Sequence, residues 1–167
     1  MKYIKYIFIL LASLTLSGCG AYSFTGVKTG DAKTFQVNRF ENTSLLIEPG
    51  LDRDFKLALE DLIQNQTNLG LVPSNGDLIY EGEITNYRIS PTTATSQNTA
   101  AQNRLTIGVK VRFYNRLNEE EDLDQSFSFF YDYPGSSQLV GGQKTTAHEE
   151  IFERLTQDII NATLARW

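Results

Sequence analysis

The chain carries one cysteine, Cys19, and one histidine, His148, so its chemistry has few places to reside. Cys19 follows Leu16-Ser17-Gly18. Small residues there let an extended backbone enter a protease, and a thiol left at a new N-terminus is a nucleophile that can take a diacylglycerol. His148 falls in the first turn of the last expected helix, a place for capping or a surface role rather than metal ligation or a triad. No Gly-x-Ser-x-Gly elbow occurs. Gly141-Gly142-Gln143-Lys144-Thr145 is close to a phosphate loop, but Gln143 separates glycine from lysine, and the stretch reads as a plain loop. Glu119-Glu120-Glu121-Asp122 lacks the alternating ligands and turn glycine of a calcium loop and reads as a solvated hairpin tip. Carboxylate pairs for glycoside hydrolysis meet only in a fold, and no spacing singles one out. The inventory points to no enzyme, no cofactor and no metal.

The residues around Cys19 give that thiol a context. Lys2 and Lys5 form a basic start, and an apolar run from Tyr6 to Leu16 follows. Its length of about 11 residues suits a signal-peptide core and falls short of the roughly 20 a spanning helix needs. Leu16-Ser17-Gly18-Cys19 resembles the lipobox of bacterial lipoproteins. Residues 1–18 are therefore expected to be a signal peptide, and 19–33 a palmitate-type acylated cysteine with a Gly-rich tether (Gly20, Gly26, Gly30). Each buried acyl methylene contributes about 0.8 kcal/mol, enough in sum to hold a domain at a membrane surface. Gly20, rather than Asp, after the cysteine is similar to the sorting signal for the outer membrane.

Residues 34–167 are expected to form one domain, large enough to bury a core without disulfides. Loss of Lys2 and Lys5 makes the net charge of −5 two units more negative, which argues against a nucleic-acid partner. Ten Phe and eight Tyr suggest sheets and interfaces.

Periodicity supplies the elements that must position any site. Thr34–Phe40 alternates, with Phe35 and Val37 on one face, and reads as a strand. Leu51, Phe55, Leu59, Leu62 and Ile63 give a helical stripe over 51–65, with Asp52, Asp54, Glu60 and Asp61 opposite and Gly70 as a stop. Residues 77–90 read as a long strand with Leu78, Tyr80, Gly82 and Ile84 on one face. The apolar phase then moves to Tyr87 and Ile89, which predicts a β-bulge near Thr85-Asn86. Residues 91–102 read as a polar loop. Arg104–Asn115 alternates, with Leu105, Ile107, Val109, Val111 and Phe113 on one side. Residues 123–133 form its hairpin partner. A second loop, 134–145, precedes a helix from Thr146, with Glu149 completing a capping box. The order β-α-β-β-β-α predicts an α+β two-layer sandwich, with two amphipathic helices on one face of a four-stranded, mostly antiparallel sheet.

Several stretches together carry a family resemblance. They are residues 18–26 at the anchor, Gln66-Thr67-Asn68-Leu69, Gly76-Asp77-Leu78-Ile79-Tyr80-Glu81-Gly82-Glu83-Ile84, Asn103–Ile107 to Val111–Phe113, and Gln125-Ser126-Phe127-Ser128. In their order and spacing, residues 16–167 resemble the LptE-like lipopolysaccharide-assembly lipoproteins of the Bacteroidetes type. The resemblance implies a periplasm-facing outer-membrane lipoprotein that plugs and stabilises the LptD β-barrel and assists lipopolysaccharide delivery. It also implies two helices on a four-stranded sheet.

The residues themselves nominate a surface. Lys110, Arg112 and Tyr114 lie on the strand face away from the helices, with Arg88 and Arg104 nearby. Such a face suits lipid phosphates through charge-assisted hydrogen bonds, or the polar wall of a barrel; it also suits plain solvent, since exposed strands ordinarily carry Lys, Arg and Thr. The loops at 91–102 and 134–145 are candidates for barrel contact or simply mobile. A stand-alone lipid- or glycan-binding lipoprotein is the alternative function, and it requires a deep apolar pocket. A hydrolase would require a cleft of titratable groups with shifted pKa values.

Overall fold

The computed structural model describes residues 27, 29–94, 100–135 and 138–165. The expected signal peptide, Cys19 and the tether up to residue 26 lie outside the described residues. The elements are β1 (Thr34–Asn42), α1 (Leu51–Gln66), β2 (Gly70–Leu71), β3 (Leu78–Ala94), β4 (Ala100–Asn115), a 3-10 turn (Glu119–Glu121), β5 (Leu123–Pro134) and α2 (Gly141–Leu164). The sheet runs β2-β1-β3-β4-β5. β3, β4 and β5 form an antiparallel meander, while β1 pairs parallel with both β2 and β3. The α+β sandwich is thus as expected, with a fifth strand added. β2 is two residues long, too short to carry a period of its own, and it replaces the expected helix stop at Gly70. The helix ends instead at Thr67, whose N–H and hydroxyl both donate to the Ile63 carbonyl, the hydroxyl at 2.7 Å.

Both helices cover one sheet face. Leu51, Phe55, Leu59 and Ile63 of α1 and Ile151, Leu155, Ile159 and Ile160 of α2 are buried against Phe35, Val37, Leu78, Tyr80 and Ile84 and the inward residues of β4. A relay of rings crosses the core. Phe40 meets Phe55 at 5.0 Å, Phe55 meets Phe152 at 5.4 Å, Phe152 stacks on His148 at 5.8 Å, and His148 meets Tyr87 edge-on at 5.8 Å. Edge-to-face rings add to what their buried area contributes. Thr163 donates to the Ile159 carbonyl at 2.8 Å and so accepts from the buried Tyr80 hydroxyl at 3.1 Å, which leaves no core hydroxyl unpaired there.

The predicted bulge is present. Ile84 pairs with Val109 and Asn86 with Gly108, so Thr85 has no partner and Tyr87 returns to the helix face opposite Ile107. A second shift in β1, between Val37 and Phe40, keeps Phe40 inward. Gly82 is required where it stands. A Cβ there would overlap the Lys110 carbonyl oxygen and come within 2.9 Å of Phe40 Cε1.

Three expectations need correction. Residues 91–102 are not wholly a loop: β3 continues through Pro91–Ala94, and β4 begins at Ala100. The run of Thr, Ala and Gln there has no alternation of apolar and polar residues to mark it as strand. The last helix begins at Gly141 rather than Thr146, with Val140 at its N-cap and no side-chain cap. Two glycines of poor helix propensity disguise that first turn; a 2.6 Å ion pair from Lys144 to Glu48 secures it. Gly141–Thr145 is therefore helix and not plain loop, and the Thr146–Glu149 box is not the cap. His148 consequently lies in the third turn, half-buried between Tyr87 and Phe152. Glu60 also departs from the expected solvent face: it is buried, and Lys56 reaches it at 2.5 Å.

Candidate functional site

The sheet face opposite the helices is built from the residues that alternate with the buried ones along each strand. Gln36 and Asn38 of β1, Ile79, Glu81 and Glu83 of β3, Thr106, Lys110, Arg112 and Tyr114 of β4, and Asp124, Ser126 and Phe130 of β5 lie on it. Strand geometry forces this, since neighbours of buried residues must point the other way. All four nominated cations are on β3 or β4, and three of them reach partners on the adjacent strands.

Arg112 bonds Glu81 at 3.3 Å and Glu83 at 3.2 Å. Those two hydrogen bonds, Glu83 first, hold its guanidinium above the ordinary arginine range. Lys110 pairs with Asp124 across the sheet at 3.2 Å. Arg104 forms a two-pronged pair with Asp132, at 2.7 and 2.8 Å, and lies 3.6 Å over the Phe130 ring. The same hydrogen bond lowers the Asp132 carboxyl. Arg88 is exposed and has no ion-pair partner among the described residues. The polar network runs on from Glu81 to Asn38 at 3.1 Å and from Asn38 to Gln36 at 2.8 Å.

The face is therefore a lattice of paired charges, not a basic patch. Three cations, Arg104, Lys110 and Arg112, meet Glu81, Glu83, Asp124 and Asp132, and of the four Arg88 alone has no salt bridge among the described residues. Sequence reasoning found the cations and missed the carboxylates. Glu81 and Glu83 were legible from the strand phase, but Asp124 and Asp132 need the β4–β5 register, which the sequence leaves open.

A second surface also went unassigned. Leu45, Leu46 and Ile47 stand on the loop between β1 and α1 at 107%, 51% and 68% exposure. They are held out by a built base. Ser44, itself buried, shares its one hydroxyl proton between Asn42 Oδ1 at 2.6 Å and the Leu46 carbonyl at 2.8 Å, and Thr43 N–H donates to the Ile84 carbonyl. The signal for this surface is three consecutive aliphatics in a segment with no helical or strand period. Residues 42–47, 91–103 and 133–143 contain no charged residue. Their described residues fall at the C-terminal ends of β1, β3 and β5, which point the same way. The opposite turns are charged, with Asp77 at one and Glu119–Asp122 at the other.

Among the described residues, no group of three or more His, Cys, Asp or Glu is disposed to hold a metal, and no helix is long and apolar enough to cross a membrane.

Residues 32–163 match the family model of LptE, described as lipopolysaccharide-assembly. No curated protein matches the chain. Its fold is similar to that of a hypothetical protein from Chlamydia trachomatis, with a TM-score of 0.57 and 8% identity, over 81% of this chain and 99% of that one. It is also similar to uncharacterized lipoprotein B from Nitrosomonas europaea, with a TM-score of 0.56 and 12% identity, over 86% and 88%. Rare lipoprotein B from Shewanella oneidensis matches with a TM-score of 0.50 and 10% identity, over 76% and 89%. At these identities the likeness is one of fold.

Proposed function

The chain belongs to the LptE lipopolysaccharide-assembly family, and from that premise we propose that it is an outer-membrane lipoprotein, acylated at Cys19, that plugs and stabilises an LptD-type β-barrel. The family is non-enzymatic and serves lipopolysaccharide assembly. The observation that carries the finer reading is the match over residues 32–163, which takes in both helices and all five strands. A plug needs a rigid body and a surface that tolerates dehydration. The described residues of the uncharged segments 42–47, 91–103 and 133–143 supply that surface at one end, with Leu45, Leu46 and Ile47 as its apolar part.

Lipopolysaccharide contact is assigned to Arg88, Arg104, Lys110 and Arg112. Arg88 is the favoured first contact, because a phosphate meeting it displaces no carboxylate. At Arg104, Lys110 and Arg112 a lipid phosphate must replace an existing partner, and exposed pairs of this kind are worth little enough to exchange. The stand-alone carrier reading finds less support. The groove between the helices is open-sided and rimmed by carboxylates that repel phosphate.

The test is affinity purification of the tagged, acylated chain from outer membranes. A large β-barrel should co-purify in near-equal amount, and recovery of none would sink the plug reading. Cys19→Ser should release the protein from the membrane fraction; retention would show that something other than acylation anchors it. Arg88→Glu should weaken lipopolysaccharide binding more than Lys110→Glu, and equal binding by all variants would remove this face from the account.

A further inference from the structure

The two helices do not close over each other along their length. A groove of about 670 Å³ lies between them. It runs from Glu48 and Lys144 at the helix starts to Asn65 and Thr156. Its floor is apolar: Leu57, Ala58 and Leu62 from α1, and Phe152 from α2. Leu57 is 48% exposed, an aliphatic side chain left in water on a helix whose other large apolar residues are covered. The rims are acidic, with Asp54 and Asp61 on one side and Glu149 and Glu153 on the other. Asp54 shares its charge with neighbouring Arg53 at 3.0 Å. Asp61, Glu149 and Glu153 have no ion-pair partner among the described residues. Among the described residues Lys144 is the one Lys or Arg lining the groove, and it is already taken by Glu48 at 2.6 Å.

We propose that this groove docks a cationic amphipathic helix of a protein partner, about three turns long. Charge and backbone chemistry both favour that occupant. Acid on both rims calls for Lys or Arg on both flanks of the guest, with an apolar stripe between them. An extended peptide would lay unpaired N–H and C=O groups on a floor of Leu, Ala and Phe, which offers them nothing. A helix pairs those groups internally and presents residues at i, i+3, i+4 and i+7 to such a groove. From Asp54 to Asn65 the groove follows α1 for about 16 Å at 1.5 Å per residue, the length of about 11 helical residues. The inference does not depend on the barrel reading, since neither the uncharged segments assigned to the barrel nor the cations assigned to lipopolysaccharide line the groove.

The test uses the chain from residue 19 with Cys19→Ser, and a fluorescein-labelled synthetic peptide with Leu at the groove-facing positions and Lys on both flanks. Anisotropy should show saturable binding that weakens as salt shortens the screening length from about 10 Å at 0.1 M. Glu149→Lys with Glu153→Lys should lower affinity by about ten-fold or more, since attraction becomes repulsion on one rim. Leu57→Lys, at an exposed site where folding is not at risk, should do the same. Glu119→Lys with Glu120→Lys, which changes net charge equally but lies on a distant turn, should leave binding within about two-fold. Loss of affinity in that control, or equal binding of a shuffled peptide of the same composition, would overturn the proposal, because net charge alone would then explain the data. A dimer of this chain abolished by Leu57→Lys would assign the groove to a second copy and overturn it equally.

Discussion

At single residues, close approach and partial burial set the sharpest constraints. Gly82 sits where β1, β3 and β4 come together, and a methyl group would collide with the backbone of Lys110 as well as the Phe40 ring. Backbone cannot step aside as a flexible side chain can. Gly82→Ala should cost about 3 kcal/mol or prevent folding, the upper range for overpacking a core, and urea denaturation would measure it. His148 sets a pH dependence. It accepts or donates one hydrogen bond, to the Tyr87 hydroxyl at 3.1 Å, and burial holds its pKa below the ordinary histidine value. The unfolded chain therefore takes up a proton at a pH where the folded chain does not. The stabilising preference for neutral imidazole is present above about pH 6.5 and is lost as pH falls through the lower folded value. His148→Gln should flatten the stability profile between about pH 5 and 7, and an unchanged profile would mean that the ring is not held neutral. Asp77 acts further down the scale. The backbone N–H groups of Lys33 and Thr34 and the Thr34 hydroxyl lower its carboxyl, so its contribution is kept above about pH 4 and disappears on further acidification.

At the level of elements, the sequence and the fold part company where side chains stop alternating. Phe55, Leu59 and Ile63, or Leu105 to Phe113, announce their helix and strand because burial on one face demands a period. Even the bulge at Thr85 was legible, since a one-residue slip in that period has one structural solution. The extension of β3 through Pro91–Ala94 was not, because Thr and Ala there sit equally well as strand or loop. The start of α2 was hidden for a different reason. Gly141 and Gly142 weaken the local preference for helix, and the turn is held by a contact 96 residues away in sequence, from Lys144 to Glu48. The candidate site follows the same division: cations were readable from strand phase, and their carboxylate partners required the register. Lys144→Ala should accordingly raise amide exchange over the first turns of α2 while changing global stability by about 1 kcal/mol, the scale of a partly exposed pair. Unchanged exchange there would show that the turn forms without the tie.

Over the whole molecule, charge is distributed along the strand direction rather than across the sheet. A chain with net charge −5 leaves 42–47, 91–103 and 133–143 without one charged residue, and the described residues of these segments lie at the same end of β1, β3 and β5. Random placement of soluble loops would not strip all three, because loop tips ordinarily keep charge for solubility. The pattern suits a surface that loses water when the protein docks, and an uncharged end can be dehydrated cheaply whereas an ion cannot. Leu46→Glu or Thr92→Glu places a carboxylate on an exposed position of that end, where it should leave stability within about 0.5 kcal/mol. A charge buried without a partner at an interface costs about 3 kcal/mol or more, so the yield of co-purified barrel should fall by about a hundred-fold. Charge reversal at Glu119 and Glu120, on the opposite turn, should leave the yield as it is. Equal recovery by all of these variants, quantified per mole of lipoprotein, would mean that the uncharged end faces solvent in the assembly and that the barrel is met by another surface.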